Sequence, residues 1–297
     1  ARSVPKQPIG FHIMYLEHFG LAQYPFSLTP NTRYFLKLPS HLQIFEAVVG
    51  SLDQPGQFCK IIGEVGTGKT MLCRKMLNAL EFHKDKFATA FIPHPILSED
   101  ALLAALADEL GLEDCADKKF RELLKDITAE ILQLASTGRR LVLFVDESQA
   151  MPEESLNTIY LLTQAQSGSD LPMQVILFGQ PELDELLDRP ALRQLCNEIE
   201  VAYTLPALDA EGVEAYVQHR LAKAGYSGSH MFSKGALQLL IESSGGIPRL
   251  INVLCHKALL VAFGKGERVV EEAHIRRAVE DTESLQKKSS WSDRFFN

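Results

Sequence analysis

Residues Gly63 to Thr70 read G-E-V-G-T-G-K-T, three glycines in six positions closed by a lysine and a threonine. What flanks this run makes it the strongest constraint on the fold. Phe58 to Ile62 before it is short, largely apolar and β-leaning, with Pro55 and Gly56 ahead of it. After it, Met71, Leu72, Met76, Leu77 and Leu80 recur at helical spacing from Lys69 to Leu80. A strand running into a glycine turn that opens a helix is the context in which G-x-x-x-x-G-K-[ST] has a mechanism. Glycines let backbone N–H groups converge on an anion, and the helix N-terminus adds positive potential. Gly63, Glu64, Val65, Gly66, Thr67, Gly68, Lys69, Thr70 and Met71 are therefore candidate phosphate-binding positions. The Lys69 ammonium can reach the β- and γ-phosphates, and the Thr70 hydroxyl can ligate Mg²⁺. The loop implies a nucleoside triphosphate.

A second signal is LVLFVDE, residues 141 to 147. A buried-type strand ending at Asp146 delivers a carboxylate to the C-terminal edge of a parallel sheet, where ligands sit. An acid there, beside a phosphate loop, ligates Mg²⁺ directly or through water. Glu147, one residue on, is placed to orient and deprotonate a water for attack on the γ-phosphate. That pair of acids suits hydrolysis more than transfer to a small-molecule acceptor.

The rest of the chain alternates. Strands are expected at 87–93, 140–145, 173–179 and 198–204, helices at 99–110, 118–135, from Pro152, and at 182–195. Strand–helix alternation implies a parallel sheet covered on both faces. After Leu205-Pro206 only helical patterns follow, at about 209–224, 233–242, 247–263 and 271–280. The expected organisation is thus an extension or cloning remnant at 1–13, with Met14 a plausible start, then an α/β nucleotide domain at 14–205. A helical lid domain follows at 206–284, and a polar, mobile tail at 285–297 in which Trp291, Phe295 and Phe296 form a small docking motif. His219 and Arg220 read as structural, outside the stripe of Tyr216, Val217 and Leu221.

Composition narrows the class. At 297 residues and 46% hydrophobic content the chain can bury a large core. A net charge of −8 offers no broad footprint for nucleic acid or an anionic membrane. The five cysteines form no C-x-x-C pair and read as buried thiols of a reducing compartment. No apolar run approaches the roughly 18 residues of a membrane span, and no secretory signal is visible at the start.

The ordered set MYLEHFGL…PFSLTP, GEVGTGKT, LVLFVDESQ, VILFGQPEL, LRQL and GGIPRLIN resembles the ExeA/GspA group of AAA+ ATPases, over roughly residues 14 to 282. Within that group it is similar to the branch serving mannose-sensitive haemagglutinin (MSHA) pilus biogenesis. The resemblance implies an AAA+ P-loop fold (a parallel sheet flanked by helices, then a smaller all-helical lid), and ATP with Mg²⁺ as the ligands. It implies partners among pilus or secretion-system assembly proteins at the inner membrane, a cytoplasmic location and an ATP-dependent homo-oligomer. Gln180 then falls at sensor 1, near the γ-phosphate, and Arg249 at sensor 2, on the lid. Arg193 is the best candidate for an arginine finger lent to a neighbour, and Arg189 the second. Relatives often read L-R-Q-L-x-Q-R-I, whereas Glu198 here replaces a second basic position, which implies slow turnover alone. The segment from Phe19 to Phe35 resembles the linker that packs near adenine. Members of the group continue past the ATPase into a membrane segment and a peptidoglycan-binding domain. This chain ends without either, which favours the pilus branch.

Three functional classes remain open: an ATP-driven assembly factor or switch for a pilus or secretion machine, a DNA-associated AAA+ helper of the transposition type, and a nucleotide-dependent adaptor with negligible hydrolysis. The helices expected after Pro206 leave no room for the winged helix of origin-type DNA binders.

Overall fold

The structure is a computed structural model and describes residues 9–29, 31–36, 38–52, 58–93, 95–113, 115, 118–164 and 172–282. In chain order it opens with helices α1 (Ile9–Phe19) and α2 (Pro39–Ser51), strand β1 (Phe58–Ile62) and helix α3 (Lys69–Leu80). Strand β2 (Phe87–Ile92) leads into α4 (Glu99–Glu109) and α5 (Phe120–Ser136), and β3 (Arg140–Val145) into α6 (Glu153–Thr163). Next come β4 (Met173–Gly179), α7 (Glu182–Leu187), α8 (Arg193–Asn197) and β5 (Ile199–Thr204). Helices α9 (Ala210–Lys223), α10 (Lys234–Ser244) and α11 (Pro248–Gly264) complete the named elements, and residues 272–282 are helical as well.

The five strands form one sheet in the order β2-β3-β4-β1-β5, with every pairing parallel. β3 and β4 lie inside the sheet, and RLVLFV and MQVILFG accordingly carry almost unbroken apolar runs that are buried on both faces. Leu141, Leu143, Val145, Val175 and Leu177 share one cluster with buried residues of α4, α5 and α6. The alternate residues Val142, Phe144, Ile176 and Phe178 are equally buried on the opposite face of the pleat, and α3 contacts β2 and β4. β5, at the edge, is only half-buried.

The chain divides into two compact units, residues 37–206 and residues 1–36 with 207–297. The first is the α/β unit. The second is helical and joins both ends of the chain: Tyr15, Phe19, Leu21 and Phe26 share a core with Val213, Val217, Leu240, Ile251 and Leu259. The Ala22 N–H bonds to the Ala224 carbonyl at 2.7 Å.

Three expectations need correction. Residues 14–36, grouped above with the nucleotide domain, pack into the helical unit, because their aromatics complete its core. Position 14 is no boundary, since α1 begins at Ile9 and runs through it; positions 1–8 of the expected extension and the whole 285–297 tail, with its docking motif, lie outside the described residues. The single helix expected over 182–195 is broken into α7, a 3-10 turn at Pro190–Leu192 and α8. Pro190 accounts for the break, having no N–H to donate and disfavouring the helical conformation at Arg189, which is extended at φ −67°, ψ 141°. α2 was not anticipated.

Candidate active site

Every loop residue named from the sequence lies between β1 and the first turn of α3. Gly63 continues the sheet, its N–H donating to Gly179 O at 3.1 Å. A Cβ at Gly63 would stand 2.9 Å from both Leu205 O and Thr67 Oγ1, so a larger residue has no room. Gly66 and Gly68 have φ of +87° and +109°, a region that glycine alone enters cheaply. Gly68 caps α3 without a side-chain bond, so the first N–H groups of the helix face the loop, as an anion site requires. Thr67 is buried and its hydroxyl donates to Glu64 O at 2.9 Å.

Lys69 is buried too, with Nζ donating to Gly63 O at 2.7 Å and Glu64 O at 3.0 Å. Its own loop thus holds the ammonium in place. Burial pushes its pKa down, against the pull of the Glu147, Asp146, Glu64 and Glu182 carboxylates. Val65 is exposed, and Thr70 and Met71 are half-buried.

Asp146 follows β3 directly, and its N–H donates to Ile92 O at 3.0 Å. The carboxylate is 3% exposed and accepts from Thr70 Oγ1 at 2.6 Å and from the Glu147 N–H at 3.0 Å. Burial raises its pKa; those two donors and the Lys69 charge oppose the rise, and the Glu147 charge adds to it.

Glu147 is the non-glycine residue at positive φ among the described residues, at φ 54°, ψ 39°. Such a backbone costs about 1–3 kcal/mol and persists only where the surroundings impose it. Here Ser148 does so. It is fully buried, with its hydroxyl 3.0 Å from both Val145 O and Phe178 O, fastening the turn to the ends of two strands. Glu147 Oε2 accepts from Gln180 Nε2 at 2.9 Å and Gln149 Nε2 at 2.7 Å, while Gln149 Oε1 accepts from the Gln180 N–H at 3.1 Å.

The fold therefore gathers the loop, Asp146, Glu147 and Gln180 at the C-terminal edge of β1, β3 and β4. Arg193 is not among them. It is exposed on α8, just before β5 begins, at the opposite end of the parallel strands from the loop. Arg189 is exposed and ion-paired with Glu153. Arg249, also exposed, is the second residue of α11 in the helical unit, after Pro248 at the first turn. Two further residues at the site were not singled out. Gln149 was visible only as the last letter of DESQ. His41 lies on α2; it is buried, its imidazole is bonded to the Thr67 backbone, and burial holds its pKa down.

A divalent ion fits this donor set. No group of three or more His, Cys, Asp or Glu side chains among the described residues is arranged to hold a metal. What is present is one hydroxyl and one buried carboxylate, 2.6 Å apart, beside a phosphate loop. That suits Mg²⁺, which keeps waters and substrate phosphates as its remaining ligands. Thr70 and Asp146 would hold it.

Sheet, loop and acids together make this an AAA P-loop NTPase fold. A family model described as an AAA domain matches residues 52–187. General secretion pathway protein A of Aeromonas hydrophila is 37% identical over 278 residues, 94% of this chain. The chain spans 50% of the length of that relative. Among solved structures, Cdc6p from Pyrobaculum aerophilum aligns with a TM-score of 0.69 at 16% identity, over 86% of this chain and 70% of that one. The Drosophila ORC bound to DNA gives 0.68 at 17% identity over 94% and 68%, and the Thermotoga maritima RuvB Holliday junction branch migration motor 0.55 at 12% over 87% and 73%. At such identities the structural likeness is one of fold. No helix among the described residues is long and apolar enough to cross a membrane.

Proposed function

We propose that the chain is a Mg²⁺-dependent ATPase that works as an assembly factor or switch for a secretion machine or type IV pilus, in the manner of the ExeA/GspA group, with the MSHA pilus ATPase MshM as its counterpart. One observation carries the chemistry: the Glu147 carboxylate, bonded to two amide donors, stands one residue from the Thr70–Asp146 pair. The loop N–H groups and Lys69 grip the phosphates. Lys69 exchanges its two loop carbonyls for phosphate oxygens, which are better acceptors for an ammonium. Bound Mg²⁺ neutralises phosphate charge. Glu147 takes a proton from water as the water oxygen bonds to the γ-phosphorus and the bond to ADP breaks, and Gln180 orients the water beside it.

Arg193, at the far end of the strands from its own loop, suits a finger lent to a neighbouring copy, and Arg249 reads as the phosphate sensor of the helical unit. The 37% identity to general secretion pathway protein A supports partners in a secretion or pilus assembly at the cytoplasmic side of the inner membrane. The net charge of −8 counts against a DNA-associated helper. A salt-dependent shift of DNA by the protein would favour that reading instead.

Glu147→Gln is the decisive variant. It should keep Mg·ATP affinity and lose hydrolysis by about two to four decades, the range for removing a general base. Lys69→Ala serves as the control that fails to bind. Phosphate release unchanged in Glu147→Gln would move the base elsewhere, and release absent in the wild type, with or without partners, would leave an adaptor. A pull-down from a piliated bacterium with the ATP-trapped variant should enrich inner-membrane assembly proteins over the wild type.

A further inference from the structure

Gln149 holds none of the roles above, yet both ends of its amide are engaged. Nε2 donates to Glu147 Oε2 and Oε1 accepts from the Gln180 N–H, at 2.7 and 3.1 Å. These bonds fix the amide's orientation, since a flip would set its oxygen against a carboxylate and its NH₂ against an N–H. Glu147 needs such a hold. A glutamate side chain has rotamer entropy to lose, and a general base works only within hydrogen-bond reach of the proton it takes. Gln180 supplies one donor, but its side chain is also the one expected to meet water. Gln149 lies in the 3-10 turn Ser148–Ala150, which Ser148 fastens to the strand ends.

We propose that Gln149 is a positioning residue for hydrolysis, aiming the Glu147 carboxylate and tying it through the Gln180 backbone to the end of β4. This rests on the reading of Glu147 as the base, so the test carries Glu147→Gln beside it. Two Gln149 variants separate aiming from fastening. Gln149→Met keeps the length and removes both bonds, whereas Gln149→Glu keeps an acceptor for the Gln180 N–H and replaces the donor with a second carboxylate.

Steady-state hydrolysis should show kcat of Gln149→Met down by about ten- to hundredfold, a part of the 10²–10⁴ that a general base contributes. KM and the affinity for a fluorescent ATP analogue with Mg²⁺ should stay at the wild-type level. Gln149→Glu should not rescue. In the Glu147→Gln background, Gln149→Met should cost nothing further, because a residue acting through Glu147 has nothing left to aim. Wild-type kcat in Gln149→Met, full rescue by Gln149→Glu, or an additive loss in the double variant would each overturn the proposal and leave Gln149 a loop fastener. If Glu147→Gln alone turns over like the wild type, the general-base reading falls and this proposal falls with it.

Discussion

Ionised Asp146 is held where burial disfavours its charge, and its Thr70, Glu147 and Lys69 contacts do not fully offset that effect. The sign follows by linkage. A carboxyl whose folded pKa lies above its unfolded value adds stability when protonated, and that stability is lost as pH rises through the folded value. At pH 7 the charge is therefore a net burden on the ligand-free protein. Asp146→Asn should raise the thermal midpoint without ligand at pH 7, and the gain should shrink towards pH 4 as the wild-type carboxyl protonates. The same variant should lose the further rise that Mg·ATP gives the wild type. Differential scanning calorimetry at both pH values, with and without Mg·ATP, checks both halves. Much of this site was legible in the sequence, because a phosphate loop and a strand-end acid announce themselves by spacing. Gln149 and His41 were not. Each acts through a contact set by tertiary packing, and a lone glutamine or histidine leaves no periodic mark.

The elements follow the same division. β1, β3 and β4 could be read from their apolar runs because interior parallel strands are buried on both faces. α1 could not, since its first turn carries no acidic residue and its purpose is to fill a core built by distant helices. Arg220 shows how far that core departs from a simple stripe. Expected outside the buried face of α9, it is 6% exposed. Its guanidinium donates to Pro25 O at 2.5 Å, Ser27 O at 3.1 Å and the Tyr216 hydroxyl at 2.8 Å, and stands 4.6 Å from the Tyr34 ring centroid. It is structural, as the sequence suggested, but as a central pin. Arg220→Met would strand the buried Pro25 carbonyl, worth about 1–3 kcal/mol when left unsatisfied, and would also lose the part-buried bonds to Ser27 O and the Tyr216 hydroxyl, so a loss of about 2–5 kcal/mol is expected in urea unfolding. Arg276→Met, which breaks only an exposed pair with Glu272, should change stability by less than about 0.5 kcal/mol.

For the whole molecule, the position of Arg193 decides what a second copy can add. A residue at the far end of the strands from its own loop contributes to phosphate chemistry only across an interface. If it does, specific activity should rise with protein concentration, and Arg193→Ala should flatten the rise at nearly unchanged ATP affinity. A finger supplied in trans contributes about 10³–10⁵ in related phosphoryl transfer, so even partial use would be plain in a dilution series. Constant specific activity, with a monomer by light scattering in Mg·ATP, would point to a finger from a partner protein. The helical unit, meanwhile, is sewn together from the two ends of the chain: His18 reaches Glu267 O, Ala22 reaches Ala224 O, and Arg220 reaches Pro25 O. This sets an order of birth on the ribosome. Residues 37–206 can collapse around their sheet as soon as β5 has emerged, whereas Tyr15, Phe19 and Phe26, made earlier, must wait uncovered for α9 to α11. A segment synthesised before the sheet is among the last to find its place, and during that interval a chaperone has apolar surface to hold.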